Sequence, residues 1–150
     1  RSFKNLDYWI SYSFIDTKRK YRDYPSKVTP PFAPTHNFTF VAKQWVQKIT
    51  TQFGITFSWA SGRPYNDPNS TSFMDRRTSN FCDVSLNCSH LTDIFGKGTI
   101  IYASINNVLG RDNIYGYRYY SIPNSSGVYE SLPIRSESKR FILFGLFVTI

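Results

Sequence analysis

The chain has 150 residues, enough for one domain, and is rich in aromatic side chains, with 13 Phe, 11 Tyr and 3 Trp. Its formal net charge of +8 comes from basic residues in turn-rich stretches that carry no nucleic-acid-binding motif, so nucleic acid is not an expected partner. The sequence contains no run of 18 apolar residues, which excludes a membrane-spanning helix.

Six segments alternate apolar and polar residues with a period of two, which predicts β-strands separated by turn-rich connections. The first segment, Leu6–Phe14, has an apolar or aromatic residue at every second position. The others follow in chain order at residues 36–45, 51–60, 82–89, 99–108 and 140–150. The sequence therefore predicts an all-β, antiparallel fold.

The predicted connections alternate between long and short. Those after the first, third and fifth strands are long (residues 16–35, 61–80 and 109–139), and the others are short (residues 46–50 and 91–98). This asymmetry is typical of outer-membrane β-barrels, which have long external loops and tight periplasmic turns. Within the last long loop, residues 115–120 and 128–134 flank a PNSSG turn and predict a hairpin that extends strands five and six above the membrane.

The terminal segment has the pattern of a closing barrel strand. One face is formed by residues that end at the carboxyl terminus, namely Ile142, Phe144, Leu146, Val148 and Ile150, and is predicted to meet lipid. On the other face, Phe141, Leu143 and Phe147 are also apolar and are predicted to point inward. Aromatic residues near strand ends are predicted to lie at the membrane interface, and these are Tyr8, Trp45 and Trp59.

The sequence predicts neither a metal site nor catalysis. Cys82 and Cys88 are separated by about 20 Å on an extended strand, too far for a disulfide, and with His90 they lack a fourth metal ligand. Both histidines, His36 and His90, lie at strand ends and are interpreted as interfacial residues. The sequence has no GxSxG, HExxH or Gly-rich phosphate motif. We therefore expect no enzymatic activity and no cofactor.

Four strings carry a family resemblance, in this order: DYWISYSFIDTKRKYRDYP, SGRPYNDPN, ASINNVLGRDNIYGYRYY and KRFILFGLFVTI. They resemble the carboxyl-terminal strands and loops of TonB-dependent outer-membrane receptors, particularly those of Bacteroidetes, over nearly the whole chain. The resemblance implies a plugged transmembrane barrel of about 22 strands in the Gram-negative cell outer membrane, which imports siderophores, cobalamin or oligosaccharides. Because six strands cannot close such a barrel, residues 1–150 are expected to be its last six strands, with the plug domain and earlier strands outside this segment.

The resemblance also implies partners. These are outer-membrane lipid and lipopolysaccharide, the receptor's own plug domain, the TonB complex, the barrel-assembly machinery and a surface lipoprotein. The family usually ends in Phe, so Ile150 departs from its pattern. We predict ligand contacts on the long loops, where planar apolar surface is combined with hydrogen-bond donors, at Arg63, Tyr65, Tyr115, Tyr117, Tyr119 and Tyr120.

Structural roles are the alternative to ligand contact for some residues of the last long loop. The spacing of Tyr115, Tyr117 and Tyr119 also fits a cross-strand ladder. Asn106 and Asn107 are expected to satisfy backbone groups where the strand changes to loop.

Two other readings of the whole chain remain open at this point. The chain could be a complete eight-stranded outer-membrane barrel that acts as an adhesin or structural protein, or a soluble secreted β-sandwich that binds carbohydrate. Periodicity alone does not separate them, since an apolar strand face looks the same whether it meets lipid or a protein core.

Overall fold

The protein is all-β and antiparallel in its computed structural model, which describes residues 4–149. Six long strands form one sheet in the order β1-β2-β3-β6-β7-β10. Their bounds are β1 Leu6–Phe14, β2 His36–Val46, β3 Thr51–Ala60, β6 Phe81–Ile94, β7 Lys97–Asn106 and β10 Phe141–Val148. Two separate hairpins lie in the long loops: β4 (Pro64–Tyr65) with β5 (Arg76–Arg77), and β8 (Ile114–Tyr119) with β9 (Ser131–Arg135).

The six predicted strands are all present, and the fourth is longer than its sequence pattern indicated. β6 extends to Ile94, so the predicted connection of residues 91–98 is reduced to a two-residue turn, Phe95 and Gly96. Both turn residues have positive φ, 54° and 73°, as a tight hairpin turn between twisted strands requires. The extension was missed because the apolar alternation of β6 fades after Cys88, and because Phe-Gly is a weaker turn signal than Asn-Gly.

The strand register divides the sheet into two faces of opposite character. We define the apolar face as the even-numbered residues of β1, β2, β6 and β10 together with the odd-numbered residues of β3 and β7, which the pairing brings to the same side. One complete row across this face consists of Tyr8, Ala42, Ile55, Leu86, Ile105 and Ile142. The alternation seen in each strand therefore adds up to one continuous apolar surface.

The terminal strand belongs to this surface. Ile142, Phe144, Leu146 and Val148 lie on the apolar face, and Ile150 lies outside the described residues. The opposite, polar face of the sheet carries mainly small polar residues such as Thr39, Ser58 and Ser104. Its exceptions include Phe141, Leu143 and Phe147 of β10, which the register places on that side as the sequence pattern indicated.

Neither of the two hairpins forms a second layer that buries the apolar face. Phe53, Leu86 and Ile101 near its centre are 45%, 39% and 43% exposed, and Phe144 is 77% exposed. Among the described residues, the hydrophobic side chains that are buried are Ala33 and Val41. The sheet thus has a large apolar surface and almost no interior of its own.

The ends of the strands are staggered across the sheet. Beyond the row that joins Tyr8 to Ile142, β1 continues for six residues to Phe14, whereas β10 begins only one residue away, at Phe141. The long-loop edge therefore recedes by five residues over five strand-to-strand steps, four of them between β6 and β7, so that the average is one residue per strand. With about 3.3 Å per residue and about 4.8 Å between strands, this stagger corresponds to strands inclined by about 35°. Barrel strands are inclined by a similar angle.

The predicted interfacial aromatics do not share one face. Tyr8 and Trp59 lie on the apolar face, towards its short-turn and long-loop edges respectively. Trp45 lies on the polar face, where its indole nitrogen donates a hydrogen bond of 2.7 Å to Gln47. The odd position of Trp45 on β2 directs it away from the apolar side, so the register places Tyr8 and Trp59, but not Trp45, on the face predicted to meet lipid.

The cysteines and histidines also fall on the apolar face. Cys82 and Cys88 are free thiols three rows apart. His36 Nδ1 lies 2.8 Å from the hydroxyl of Tyr12, and His90 Nδ1 lies 2.9 Å from that of Thr51. Each imidazole therefore has a local partner at a rim of the sheet. Within the described part of the chain, no helix is long and apolar enough to span a membrane.

Candidate ligand-binding site at the long-loop edge

All three long loops leave the same edge of the sheet. We call them loop 1 (residues 15–35), loop 2 (residues 61–80) and loop 3 (residues 107–140); they follow β1, β3 and β7. The short turns, at residues 47–50 and 95–96, lie at the opposite edge, as does the end of β10. Any site built from several loops must therefore be at the long-loop edge.

The SGRPY string forms the base of loop 2. Gly62 lies so close to the backbone carbonyl of Thr78 that a side chain at this position would collide with it. The amide of Gly62 donates to the Asn80 side chain at 2.9 Å, and that of Arg63 donates to the Thr78 hydroxyl, also at 2.9 Å. A glycine is required because the two ends of the loop approach each other at backbone distance. This closure fixes the position of Arg63.

The NNVLG string shapes the start of loop 3. Asn107 is buried and has a φ of 50°, a left-handed conformation that asparagine tolerates better than most residues. Its amide nitrogen donates to the carbonyls of Arg111 and Lys139 at 2.7 and 2.6 Å, and its amide oxygen accepts from the Arg111 amide at 3.1 Å. The expectation that this residue satisfies backbone groups is confirmed. Asn107 joins the beginning and the end of loop 3.

Asn113 attaches loop 3 to the sheet. Its side chain accepts a hydrogen bond of 3.0 Å from the amide of Cys82 and donates one of 2.8 Å to the carbonyl of the same residue. β7 has already ended at this level, so the asparagine amide replaces the missing neighbouring strand. Asn113 was not predicted as a site residue from the sequence, because its only signal was an asparagine at the start of a Tyr-rich segment.

Tyr115 follows Asn113 by two residues and lies on the polar-face side of the sheet. The guanidinium carbon of Arg63 lies 5.8 Å from the Tyr115 ring centroid, and the Phe81 ring lies 6.1 Å away. Two cavities of about 230 and 280 Å³ adjoin Tyr115. We define the vestibule as these two cavities. Of the predicted ligand residues, Arg63 and Tyr115 line it.

The two cavities differ in chemistry. The first is lined by charged residues of both signs, Asp83, Arg111, Asp112 and Lys139, together with asparagine and serine side chains. Asp112 accepts a hydrogen bond of 2.7 Å from Arg135, so part of this charge is already paired. The second contains Arg63 as its charged residue among serine, threonine, asparagine and aromatic side chains. Together they offer hydrogen bonds and aromatic surface to a polar ligand, with little net charge.

Three other predicted tyrosines form a separate cluster that joins loops 2 and 3. The rings of Tyr65 and Tyr117 have centroids 4.7 Å apart. Burial raises the pKa of Tyr119, and the nearby carboxylate of Asp67 raises it further. Burial also raises the pKa of Tyr65, with Tyr117 and Asp67 adding to the effect. The phenols of Tyr65 and Tyr119 therefore keep their protons, and the ring contact between Tyr65 and Tyr117 joins loop 2 to loop 3.

A further contact reinforces this junction, and one tyrosine stays outside it. Asn69 of loop 2 pairs with the backbone of Tyr129 in loop 3 through hydrogen bonds of 2.9 and 2.8 Å. Tyr120 is 53% exposed and lines neither of the cavities that form the vestibule. The six predicted ligand residues thus divide into two at the vestibule, three at the loop junction and one on the surface.

Comparison of the chain with protein families, with curated proteins and with solved structures found no match.

Proposed function

We propose that residues 1–150 form the carboxyl-terminal six strands of a TonB-dependent outer-membrane receptor. Such a receptor imports a large, scarce nutrient, such as a siderophore, cobalamin or an oligosaccharide, with energy from the TonB complex. The proposal includes a plug domain and earlier barrel strands elsewhere in the receptor, and a location in the Gram-negative outer membrane. The vestibule is the part of the ligand path that this segment supplies.

The observation that carries the proposal is the apolar face. It is continuous across six strands in register, and its central side chains are exposed. A membrane barrel presents such a face to lipid, whereas a soluble sandwich buries it under a second sheet. Within residues 4–149, the two additional sheets are hairpins of the long loops and do not pack over the centre of this face.

Two further features support a barrel. The average stagger of one residue per strand supports a barrel, because closing a sheet needs both strand tilt and a register offset. The long loops and the vestibule lie at one edge, with the vestibule lined by polar-face residues such as Thr39, Ser58 and Asp83. In a barrel this is the lumenal side, where an imported ligand passes.

The same features weigh against the two alternatives. A complete eight-stranded barrel needs β8 and β9 as neighbours of the other strands, yet these two form their own sheet in loop 3. A soluble sandwich needs a partner for the apolar face. The receptor assignment accounts for both facts, and for the ordered family strings found in the sequence.

The topology can be tested with cysteine labelling of the full-length protein in intact cells, in a background where Cys82 and Cys88 are replaced by Ser. We expect Ser126→Cys, in the exposed turn of loop 3, to react with a membrane-impermeant maleimide. Phe95→Cys, in the opposite turn, should react only after the outer membrane is permeabilised. Equal labelling of the two positions in intact cells would contradict the proposal.

The apolar face has a natural probe in Cys88. In the variant Cys82→Ser, Cys88 is the only cysteine of this segment, and its register places it on the apolar face between Phe53 and Ala103. We expect it to react with a lipid-soluble maleimide in membranes and to resist a charged one until the protein is denatured. Rapid reaction with the charged reagent in intact membranes would mean that water covers this face.

The vestibule can be tested by nutrient uptake. We expect the double substitution Arg63→Gln with Tyr115→Ala to weaken ligand uptake about tenfold or more, because a hydrogen bond to a charged group contributes about 1.5–3 kcal/mol. Tyr120→Ala is the matched control, since this tyrosine lies outside both cavities. Equal uptake by the double variant and the control would refute the assignment of the vestibule.

A further inference from the structure

Arg63 differs from the other described arginines in its surroundings. It is partly buried, whereas the others are exposed, namely Arg19, Arg22, Arg76, Arg77, Arg111, Arg118, Arg135 and Arg140. Within residues 4–149, the guanidinium group of Arg63 takes part in no salt bridge and no hydrogen bond. Withdrawing a charge from water without a paired group is unfavourable. A negatively charged acceptor supplied by a ligand would therefore stabilise this side chain.

Neighbouring arginines of the long loops have partners although they are more exposed. Arg135 donates to the carboxylate of Asp112 at 2.7 Å, and Arg111 donates to the carbonyl of Asn80 at 3.0 Å. Acceptors are thus available at this edge of the sheet. In the described part of the chain, none of them is bonded to the guanidinium group of Arg63.

Arg63 is held at its backbone and at the end of its side chain. Its amide donates to the hydroxyl of Thr78 at 2.9 Å, and its carbonyl accepts from the Thr78 amide, also at 2.9 Å. Its guanidinium carbon lies over the Tyr115 ring, 5.8 Å from the centroid. Contact with an aromatic face leaves the N–H groups free, because they lie in the plane of the guanidinium group. The side chain therefore has a defined place and unused donors.

The vestibule cavity of about 280 Å³ beside Arg63 suits an anion. Arg63 is the charged side chain in its lining, which includes no acidic residue of the described chain. The hydroxyl groups of Thr39, Ser58 and Ser79 also line it and take part in no hydrogen bond within residues 4–149. The other vestibule cavity has two cations and two carboxylates in its lining and lacks this bias. One cation and several neutral donors are thus directed at the same space.

The number of charges and the size of the cavity indicate which anion fits. One guanidinium group balances one negative charge, and two of its N–H groups match the two oxygens of a carboxylate. A phosphate monoester carries nearly two charges at neutral pH and would need a second cation, which the described lining does not include. Sites for whole small molecules usually measure about 300–1,000 Å³. A cavity of about 280 Å³ therefore holds one end of a large ligand.

We propose that the imported ligand carries a carboxylate group and that Arg63 binds this group in the cavity that it lines. This inference rests on the proposed function, because it takes the vestibule to be part of the ligand path. The carboxylate can belong to an acidic sugar, to an iron chelator or to the end of a peptide, since the cavity holds only this group and its neighbouring atoms. Ligands of the same skeleton without the negative charge are bound more weakly.

The test compares acids with neutral molecules of the same skeleton. The purified full-length receptor is titrated by calorimetry with three pairs of probes: trigalacturonate and its methyl ester, citrate and its trimethyl ester, and trialanine with a free or an amidated carboxyl end. The variant is Arg63→Gln. Arg118→Gln is the matched control, because it removes one exposed positive charge from loop 3 and lies outside both vestibule cavities. Gel mobility before and after heating reports that each barrel is folded.

We expect the native receptor to bind the acid of at least one pair about tenfold or more tightly than its neutral counterpart, because hydrogen bonds between charged groups are the strong ones. The pair that shows this preference identifies the source of the carboxylate. Arg63→Gln should abolish the preference, and Arg118→Gln should keep it within about twofold.

Two results would overturn the proposal: no preference for the acid in any of the three pairs, or the same preference in Arg63→Gln as in the native receptor. The cysteine labelling and the uptake measurements described above test the barrel and the vestibule independently. A failure of the acid preference while those results hold would therefore concern the carboxylate alone.

Discussion

Leu86 offers the sharpest test of what covers the apolar face. It lies in the row that runs from Tyr8 to Ile142, is flanked by Ile55 and Ile105, and is 39% exposed. On β6, which runs from Phe81 to Ile94, this row lies near the middle of the strand. We therefore expect Leu86→Arg to place a charge near the centre of the bilayer.

The expected cost depends on the medium that meets this position. An arginine on the lipid face of a barrel costs about 2–4 kcal/mol at the bilayer midplane. A substitution on a water-exposed surface usually changes stability by about 0.5 kcal/mol or less. The neighbouring Ser85 is on the polar face, where it donates a hydrogen bond to Asp83. Ser85→Arg is the matched control, with an expected cost of about 1 kcal/mol from that lost bond.

The measurement is reversible folding of the full-length receptor into phosphatidylcholine vesicles over a urea titration. Tryptophan fluorescence follows the transition, and an unchanged slope for each variant shows that the two-state comparison is valid. We expect Leu86→Arg to lower the free energy of unfolding by about 1–3 kcal/mol more than Ser85→Arg, or about 5-fold to 150-fold in the folding equilibrium. Equal effects of the two substitutions would refute the reasoning that places lipid on this face.

Three further predictions concern the loops. Gly62→Ala should destabilise loop 2 by about 1–3 kcal/mol, because the added methyl group collides with a backbone carbonyl. Gly127→Ala has open space around it and should cost only the strain of its φ of 79°. Thermal unfolding of the two variants compares these costs. Asn113→Ala should speed hydrogen exchange of the Cys82 amide at least tenfold, and an unchanged rate would exclude the anchoring role. Because the pKa of Tyr119 is raised above 10.0, the folded loops keep a proton that the unfolded loops lose, so the stability of the loops should fall as pH rises above 10. Tyr119→Phe should reduce that fall, measured by denaturant titration at several pH values.

The strands were predictable because their signal is local. Alternation with a period of two is a property of consecutive residues, so β1 and β3 were located from sequence with their observed bounds. β6 was predicted too short, since a strand whose apolar residues give way to Thr92 and Asp93 is held in place by its pairing with β7. Prolines and glycines likewise marked the long loops without giving their internal structure.

The site was predictable only in part. Composition drew attention to Arg63 and the tyrosines, yet it did not separate Tyr115, which lines the vestibule, from Tyr117, which stacks on Tyr65 at the loop junction. That division depends on Asn113 holding the backbone of Cys82, a contact between residues 31 positions apart. No local pattern encodes such a contact.

The sequence by itself determined that this chain forms alternating strands with long and short connections and an apolar terminal strand. Only the tertiary structure decided which residues of neighbouring strands lie on the same side of the sheet. This depends on the register of each strand pair, and a shift of one residue reverses it. The observed register joins the apolar sides of the six strands into one face and places Trp45 on the other side. The stagger and the meeting of loops 2 and 3 are likewise set by pairing between distant residues, which is why they became visible only in the folded sheet.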